Sequence, residues 1–158
     1  MAIEKVKEYF SKFDIEDKII ELEESSATVE LAAEALGTKP ERIAKTLSFM
    51  VNNKPILIVM AGDTKIDNSK YKLEFATKAC MIDRDKVEDF IGHGVGGVCP
   101  FGINTGVAVY LDESLKRFET VFPACGSAKS AIELTIPEIE KYSNYIKWID
   151  VGKNIENN

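Results

Sequence analysis

The chain has 158 residues, about one domain's worth and enough to bury a single substantial core. Hydrophobic residues make up 45% and charged residues 29%, which excludes a disordered or fibrous class. The net charge of −6 speaks against sequence-blind adhesion to nucleic acid and against a DNA partner, because such binding needs a field of Lys and Arg along the phosphates.

In chain order, IEKVKEYFSKF puts Ile3, Val6, Phe10 and Phe13 at helical spacing and predicts an amphipathic helix. KIIELE reads as a short strand. SSATVELAAEALGTKPERI has Ser and Thr before an Ala/Leu/Glu-rich run that stops at Gly37 with Pro40 beyond, the start and stop signals of a second helix. AKTLSFMV and KPILIVMAG, separated by NNK, predict a hairpin whose second arm is buried on both faces, at the centre of a sheet. KIDNSKYKLEF and DRDKVEDFIG predict short helices, with ACMI as a short strand between them. GVAVYLD, ETVFPACG and SAIELT follow as strands, IPEIEKYS as a helix with Pro at its start, YIKWIDV as a closing strand, and GKNIENN as a frayed tail. Helices placed before and between runs of strands, without βαβ alternation, indicate an α+β fold. One domain over residues 1–158, with a core from about 5 to 150, is expected, built on a mixed, curled, barrel-like sheet flanked by helices.

The longest apolar run, PILIVMAG, is far below the roughly 18 residues of a membrane helix, and the opening MAIEKVKEYF is amphipathic and acidic rather than signal-like. A cytoplasmic protein with no membrane partner is the expectation. Cys80, Cys99 and Cys125 lie far apart without a CxxC pair, which argues against disulfides and a zinc ribbon.

The segment GHGVGGVCPFG, residues 92–102, holds five glycines, a proline, a cysteine and the chain's one histidine. It lacks the GxxxxGK[ST] spacing of a phosphate loop and follows a helix-like stretch rather than a strand. Two readings of the residues remain: a surface turn or bulge without a ligand, or a loop whose bare backbone lets a ligand approach closely. Lys45 in AKTLSFMV likewise either points into a cleft or snorkels to water from a strand end. A thiolate nucleophile built from His93 with Cys99 or Cys125 is weighed as well, and so is a zinc site on the three. No partner motif supports the first, and the spacing matches no standard pattern for the second.

Three separated stretches, TVELAAEALGTKPERIAKTLSF, GHGVGGVCPFG and VFPACGSAKSAIELTIPEIEK, occur in an order and spacing that resembles the YbaK family. These are free-standing relatives of the editing domain inserted in bacterial prolyl-tRNA synthetases, and the likeness runs over roughly residues 5 to 150. The resemblance implies trans-editing: hydrolysis of the ester joining a wrong amino acid to tRNA, typically tRNA for proline carrying cysteine, alanine or a similar small residue. It implies that Lys45 contacts the phosphate–ribose end of the acceptor strand. It also implies that Gly96 and Gly97 face the aminoacyl ester, and that Pro100 fixes the loop. Thr46, Gly102, Gly126 and Ser127 join them around the substrate. No cofactor or metal is implied, and the partners are the aminoacyl-tRNA acceptor end and prolyl-tRNA synthetase. The chain departs from the pattern in two places. Many relatives carry a basic residue immediately after the later glycine turn, where Gly126, Ser127, Ala128 and Lys129 stand here. IIELEESS lacks the aromatic and histidine residues of some members.

The chemistry asks little of side chains. An aminoacyl ester is already activated and brings an amino group and a neighbouring hydroxyl, so positioning and backbone N–H groups near the developing oxyanion supply much of the catalysis. The competing class is a non-catalytic module that binds aminoacyl-tRNA or a synthetase in the same pocket. A cysteine hydrolase of small esters is a third reading.

Overall fold

Two asparagines turn the chain at the centre of the sheet. In the computed structural model, which describes residues 2–155, Asn52 and Asn53 have φ of 51° and 65°. These left-handed angles at both central positions match the twist of the flanking strands and close a tight hairpin. The hairpin joins β2 (Ile43–Val51) to β3 (Lys54–Ala61), paired antiparallel from Ala44 with Ala61 to Val51 with Lys54.

The remaining elements assemble around it. Before it come α1 (Ala2–Ser11), β1 (Ile20–Glu21) and α2 (Val29–Leu36). After it come β4 (Thr64–Ile66), α3 (Asn68–Phe75), α4 (Val87–Ile91), β5 (Ala108–Asp112) and β6 (Thr120–Pro123). The chain then forms β7 (Ser130–Ala131), β8 (Leu134–Thr135), α5 (Ile136–Ser143), β9 (Lys147–Ile149) and β10 (Gly152–Asn154). Six strands form one sheet in the order β8-β6-β2-β3-β5-β9. The β2–β3 and β6–β8 pairs are antiparallel, and β2–β6, β3–β5 and β5–β9 are parallel. The result is an α+β single domain on a mixed, strongly curled half-barrel sheet, as the sequence predicts.

Alternation along β3 explains the layering. Leu57, Val59 and Ala61 join the larger core with Val6 and Phe10 of α1, Ile91 of α4 and Ile139 of α5. Ile56, Ile58 and Met60 face the other way, in a second cluster with Phe49 of β2 and Tyr71 of α3. Successive side chains on a strand leave opposite faces, so a strand covered on both sides has no polar positions. α2 covers a third patch, with Ala32 and Ala33 against Ile43 and Phe122. Its start is fixed by the Thr28 hydroxyl, which accepts from the Leu31 N–H at 3.1 Å, and its end by Gly37 at φ 68°.

Three predicted elements differ. SAIELT is two strands rather than one: Ser130–Ala131 pairs with β1 and Leu134–Thr135 with β6, so the chain changes partner at Ile132–Glu133. ACMI makes a single bridge, Met81 to Phe49. Of the tail read as frayed, Gly152–Asn154 is strand β10, paired antiparallel with Ile66–Thr64; residues 156–158 lie outside the described residues. Among the described residues no helix is long and apolar enough to cross a membrane.

Candidate functional site

The sheet has a break beside β2. β6 pairs with β2 only at Ile43 and Ala44, and the next neighbour on that edge is the segment around Met81, bridged to Phe49. Lys45, Thr46 and Leu47 therefore have no strand on the edge away from β3. The Met50 N–H donates to the Cys80 carbonyl and the Ile82 N–H to the Ser48 carbonyl, so even-numbered residues of β2 turn their backbone groups toward this edge. Thr46, of the same parity, presents its amide and carbonyl to the break.

A cavity of about 320 Å³ fills the break. Ala27, Thr28 and α2 form one wall, Ile82 to Val87 another, and Val95, Gly96 and Val98 a third. The volume sits at the small end of the roughly 300–1,000 Å³ range of ligand sites. Its floor mixes apolar Ile43 and Phe122 with Thr46, Ser48 and Ser130. The Thr46 hydroxyl is buried without a hydrogen-bond partner. A buried hydroxyl left unmatched costs free energy; Tyr71, His93 and Ser143 carry such atoms as well, and of the four only Thr46 belongs to the cavity lining. Among the described residues the lining includes no Asp, Glu, His or Cys.

Lys45 is the cation of the inner wall. It is half-buried, and its Nζ reaches only the Gly62 carbonyl, at 3.5 Å. Burial pushes the ammonium pKa below its ordinary value, while the nearby charges of Asp63 and Glu30 hold it up. Neither carboxylate is ion-paired with it. Asp63 is held by the Arg117 guanidinium, at 2.9 and 2.5 Å, a fork geometry that also keeps the Asp63 carboxyl below its ordinary range. Lys45 thus has no ion pair among the described residues, and it lines the cavity. Gly62, which the sequence does not single out, must be glycine because a Cβ there would overlap the Pro40 carbonyl.

The glycine segment divides in two. Gly96, at φ 94°, lines the cavity; a Cβ on it would meet those of Ala128 at 3.3 Å and Ala27 at 3.5 Å. Its N–H makes no hydrogen bond among the described residues, whereas that of Gly97 donates to the Gly94 carbonyl at 3.1 Å. Gly97 is buried behind the wall, where a Cβ would lie 2.5 Å from both the Gly126 carbonyl carbon and the Ser127 nitrogen. Gly126 in turn abuts the Ala2 carbonyl of α1. The Ser127 hydroxyl donates at 2.9 Å to that of Ser130, which reaches the cavity. Pro100 and Gly102 are elsewhere: they border a second hollow, of about 460 Å³, with Tyr9, Phe13 and Ser143. Of the eight residues expected around a substrate, the fold brings Lys45, Thr46 and Gly96 to the cavity, sets Gly97, Gly126 and Ser127 directly behind it, and places Pro100 and Gly102 beside α1.

His93, Cys99 and Cys125 are all buried and none lines the cavity. The His93 Nε2 lies 2.6 Å from the Phe101 carbonyl, which can only accept, so that nitrogen carries the proton. Burial pushes the Cys99 thiol up to about 12 and the Cys125 thiol well above its ordinary value. Both are neutral thiols, and the thiolate a cysteine hydrolase requires is absent at neutral pH.

With this geometry in place, comparison with known proteins assigns the class. The chain belongs to the aminoacyl-tRNA editing domain family, whose pattern matches residues 23–142. It is 51% identical over 157 residues to the uncharacterized protein YwhH of Bacillus subtilis (strain 168), covering 99% of this chain and all of that one. It is 25% identical over 127 residues to the proline–tRNA ligase of Streptococcus equi subsp. equi (strain 4047), covering 79% of this chain and 20% of the ligase. The chain thus spans about a fifth of that ligase's length. Among solved structures, a proposed trans-editing enzyme for prolyl-tRNA synthetase superposes with a TM-score of 0.86 at 25% identity, covering 97% of this chain and 98% of that one.

Proposed function

We propose that the protein is a trans-editing deacylase that hydrolyses the ester of a small, wrong amino acid on the 3′ end of tRNA, the tRNA being that for proline. The observation that carries this reading is the convergence, in one small cavity, of an ammonium without an ion pair, a buried hydroxyl without a partner and a glycine with a free N–H.

Each group then has a task. Lys45 anchors the phosphate and ribose of the terminal nucleotide as a point charge. The Thr46 hydroxyl and the free edge of β2 hold the aminoacyl group, and Gly96 offers its N–H to the oxyanion that forms as water adds to the ester carbonyl. Gly97, with its N–H already engaged, supports Gly96 from behind. Because, among the described residues, no carboxylate, imidazole or thiol lines the cavity, the proton that leaves the attacking water passes by way of the substrate's own amino or hydroxyl group to the ribose oxygen released as the ester C–O bond breaks. The same lack of a protein base is what a binding module would display, so turnover is the discriminating property.

The test is a panel of tRNAs charged with alanine, serine, cysteine, threonine and proline, incubated with protein at a small fraction of the tRNA concentration. Release of a small non-proline amino acid over many turnovers is expected. Tight binding of charged tRNA without release would make the protein a binding module, with prolyl-tRNA synthetase as the partner to test next.

A further inference from the structure

The chain has three arginines, and two of them are committed to carboxylates. Arg42 pairs with Glu133 at 3.1 Å and Arg117 with Asp63. The third, Arg84, makes no ion pair or hydrogen bond among the described residues, is exposed, and lines the cavity. Asp83 and Asp85 flank it in sequence, and neither is ion-paired with it. Lys7, Lys70, Lys116 and Lys147 are likewise paired with carboxylates.

Arg84 is also held in place. The chain before it is tied to β2 by the Met50–Cys80 and Ile82–Ser48 hydrogen bonds, at 2.8 and 3.1 Å. The chain after it turns back through a bond from the Lys86 N–H to the Asp83 carbonyl at 2.8 Å. Ile82 and Val87, on either side of this turn, are buried. A guanidinium on a braced turn loses less freedom on binding than one on a loose loop, and its planar fork fits phosphate oxygens. Exposed Met81 and Val95 complete an apolar rim beside it.

We infer that Arg84 binds a backbone phosphate of the acceptor strand, 5′ to the terminal nucleotide, so that the strand leaves the cavity across the Met81–Arg84 rim. The inference rests on the editing function proposed above. An aminoacyl ester carries no carboxylate, so the anions a cation at this site can meet on that substrate are phosphodiesters. Lys45 inside and Arg84 at the rim then hold successive parts of one strand, and Arg84 is a positioning residue with no part in the chemical step.

The experiment measures deacylation kinetics and, separately, fluorescence-anisotropy binding of a short single-stranded RNA with the tRNA 3′ sequence, both over a range of salt. Arg84→Ala is expected to raise KM and the RNA Kd roughly fivefold with kcat nearly unchanged. One phosphate contact fewer should make the slope of log affinity against log salt shallower by about 0.7. Arg84→Lys should recover part of the loss, and Lys54→Ala, at the far end of the β2–β3 hairpin, should change nothing. An unchanged Kd and slope in Arg84→Ala overturns the inference. So does a weaker Kd with an unchanged slope, which would assign the side chain to stacking on a base. If no charged tRNA is hydrolysed, the proposed function falls, and the RNA-binding arm still decides the role of Arg84.

Discussion

Residues 94–98 and residues 99–102 belong to one glycine-rich loop and meet opposite surroundings. The first half borders a hollow, with Gly96 at φ 94° and its amide free. The second half is packed against α1 on one side: Cys99 and Phe101 are fully buried, Phe101 packs on Phe10 at 4.8 Å, and a Cβ on Gly102 would lie 2.9 Å from the Lys5 carbonyl, while Pro100 and Gly102 also border the second hollow. Glycine thus serves access at Gly96 and close backbone packing at Gly97 and Gly102. Composition alone cannot separate these uses, because both need the same missing side chain.

Substitutions can break this division. The largest effect is expected just outside the loop, at Lys45, to which the proposed function gives the placing of the substrate against Gly96. Lys45→Ala should slow single-turnover deacylation on the order of 100-fold by misplacing the ester, with an unchanged melting curve because the ammonium has no ion pair to lose. Near-normal turnover would remove Lys45 from the site. Next is Gly97→Ala, where the methyl group collides with the Gly126–Ser127 backbone and should cost about 1–3 kcal/mol of stability by overpacking. Denaturant titration would expose the alternative, a variant as stable as the parent.

Gly96→Ala sharpens the comparison from the other side. Its neighbours are two methyl groups at ordinary or slightly tight distance, so the cost is mainly the left-handed backbone angle, about 1 kcal/mol. Its activity per folded molecule should fall roughly tenfold as the amide shifts. A Gly96→Ala protein that melts lower yet hydrolyses normally would make the first half of the loop a packing element too.

His93, whose Nε2 donates to the Phe101 carbonyl, should report on the packed half through pH. Burial holds the His93 pKa below its ordinary 6.5, and its Nδ1 is buried without a partner to receive a second proton. The unfolded chain binds that proton first as pH falls, so stability should be full above about 6.5 and decline below it until the folded pKa is reached. The slope is at most about 1.4 kcal/mol per pH unit. His93→Gln should flatten that decline, and an unaltered pH profile would contradict the assignment. The smallest effect is expected from Cys99→Ala, which should lose about 1 kcal/mol of stability and no activity per folded molecule, as single-turnover assays with thiol reagents would verify.

Legibility in the sequence followed the strength of local signals. β3 is readable because six successive residues, Ile56 to Ala61, are buried on both faces, and α2 because Thr28 and Gly37 mark its ends. β4 and β10 are three polar-leaning residues each, paired across more than eighty positions, and nothing local announces them. In the cavity, Lys45, Thr46 and Gly96 come from quoted motifs. Arg84 carries no motif, and it reaches the site because the Cys80–Ile82 segment bonds to the free edge of β2. Gly97 illustrates the limit from the other direction: it is adjacent to Gly96 in sequence and separated from the cavity by one turn of backbone.

The break beside β2 has a bearing on biosynthesis. Its walls are drawn from residues 26–36, 43–48, 81–87, 95–98 and 122–131, so no shorter N-terminal stretch encloses it. A chain emerging from the ribosome can form the β2–β3 hairpin early, since that pairing is local, whereas Phe122 and Ala124 follow its last residue, Ala61, by 61 and 63 positions. Until Ser130 and Ala131 have emerged, Lys45 stands on an open strand with no chamber in front of it. A nascent or prematurely terminated chain therefore carries Lys45 on an open strand, and the chamber in front of it can close only once residue 131 has emerged.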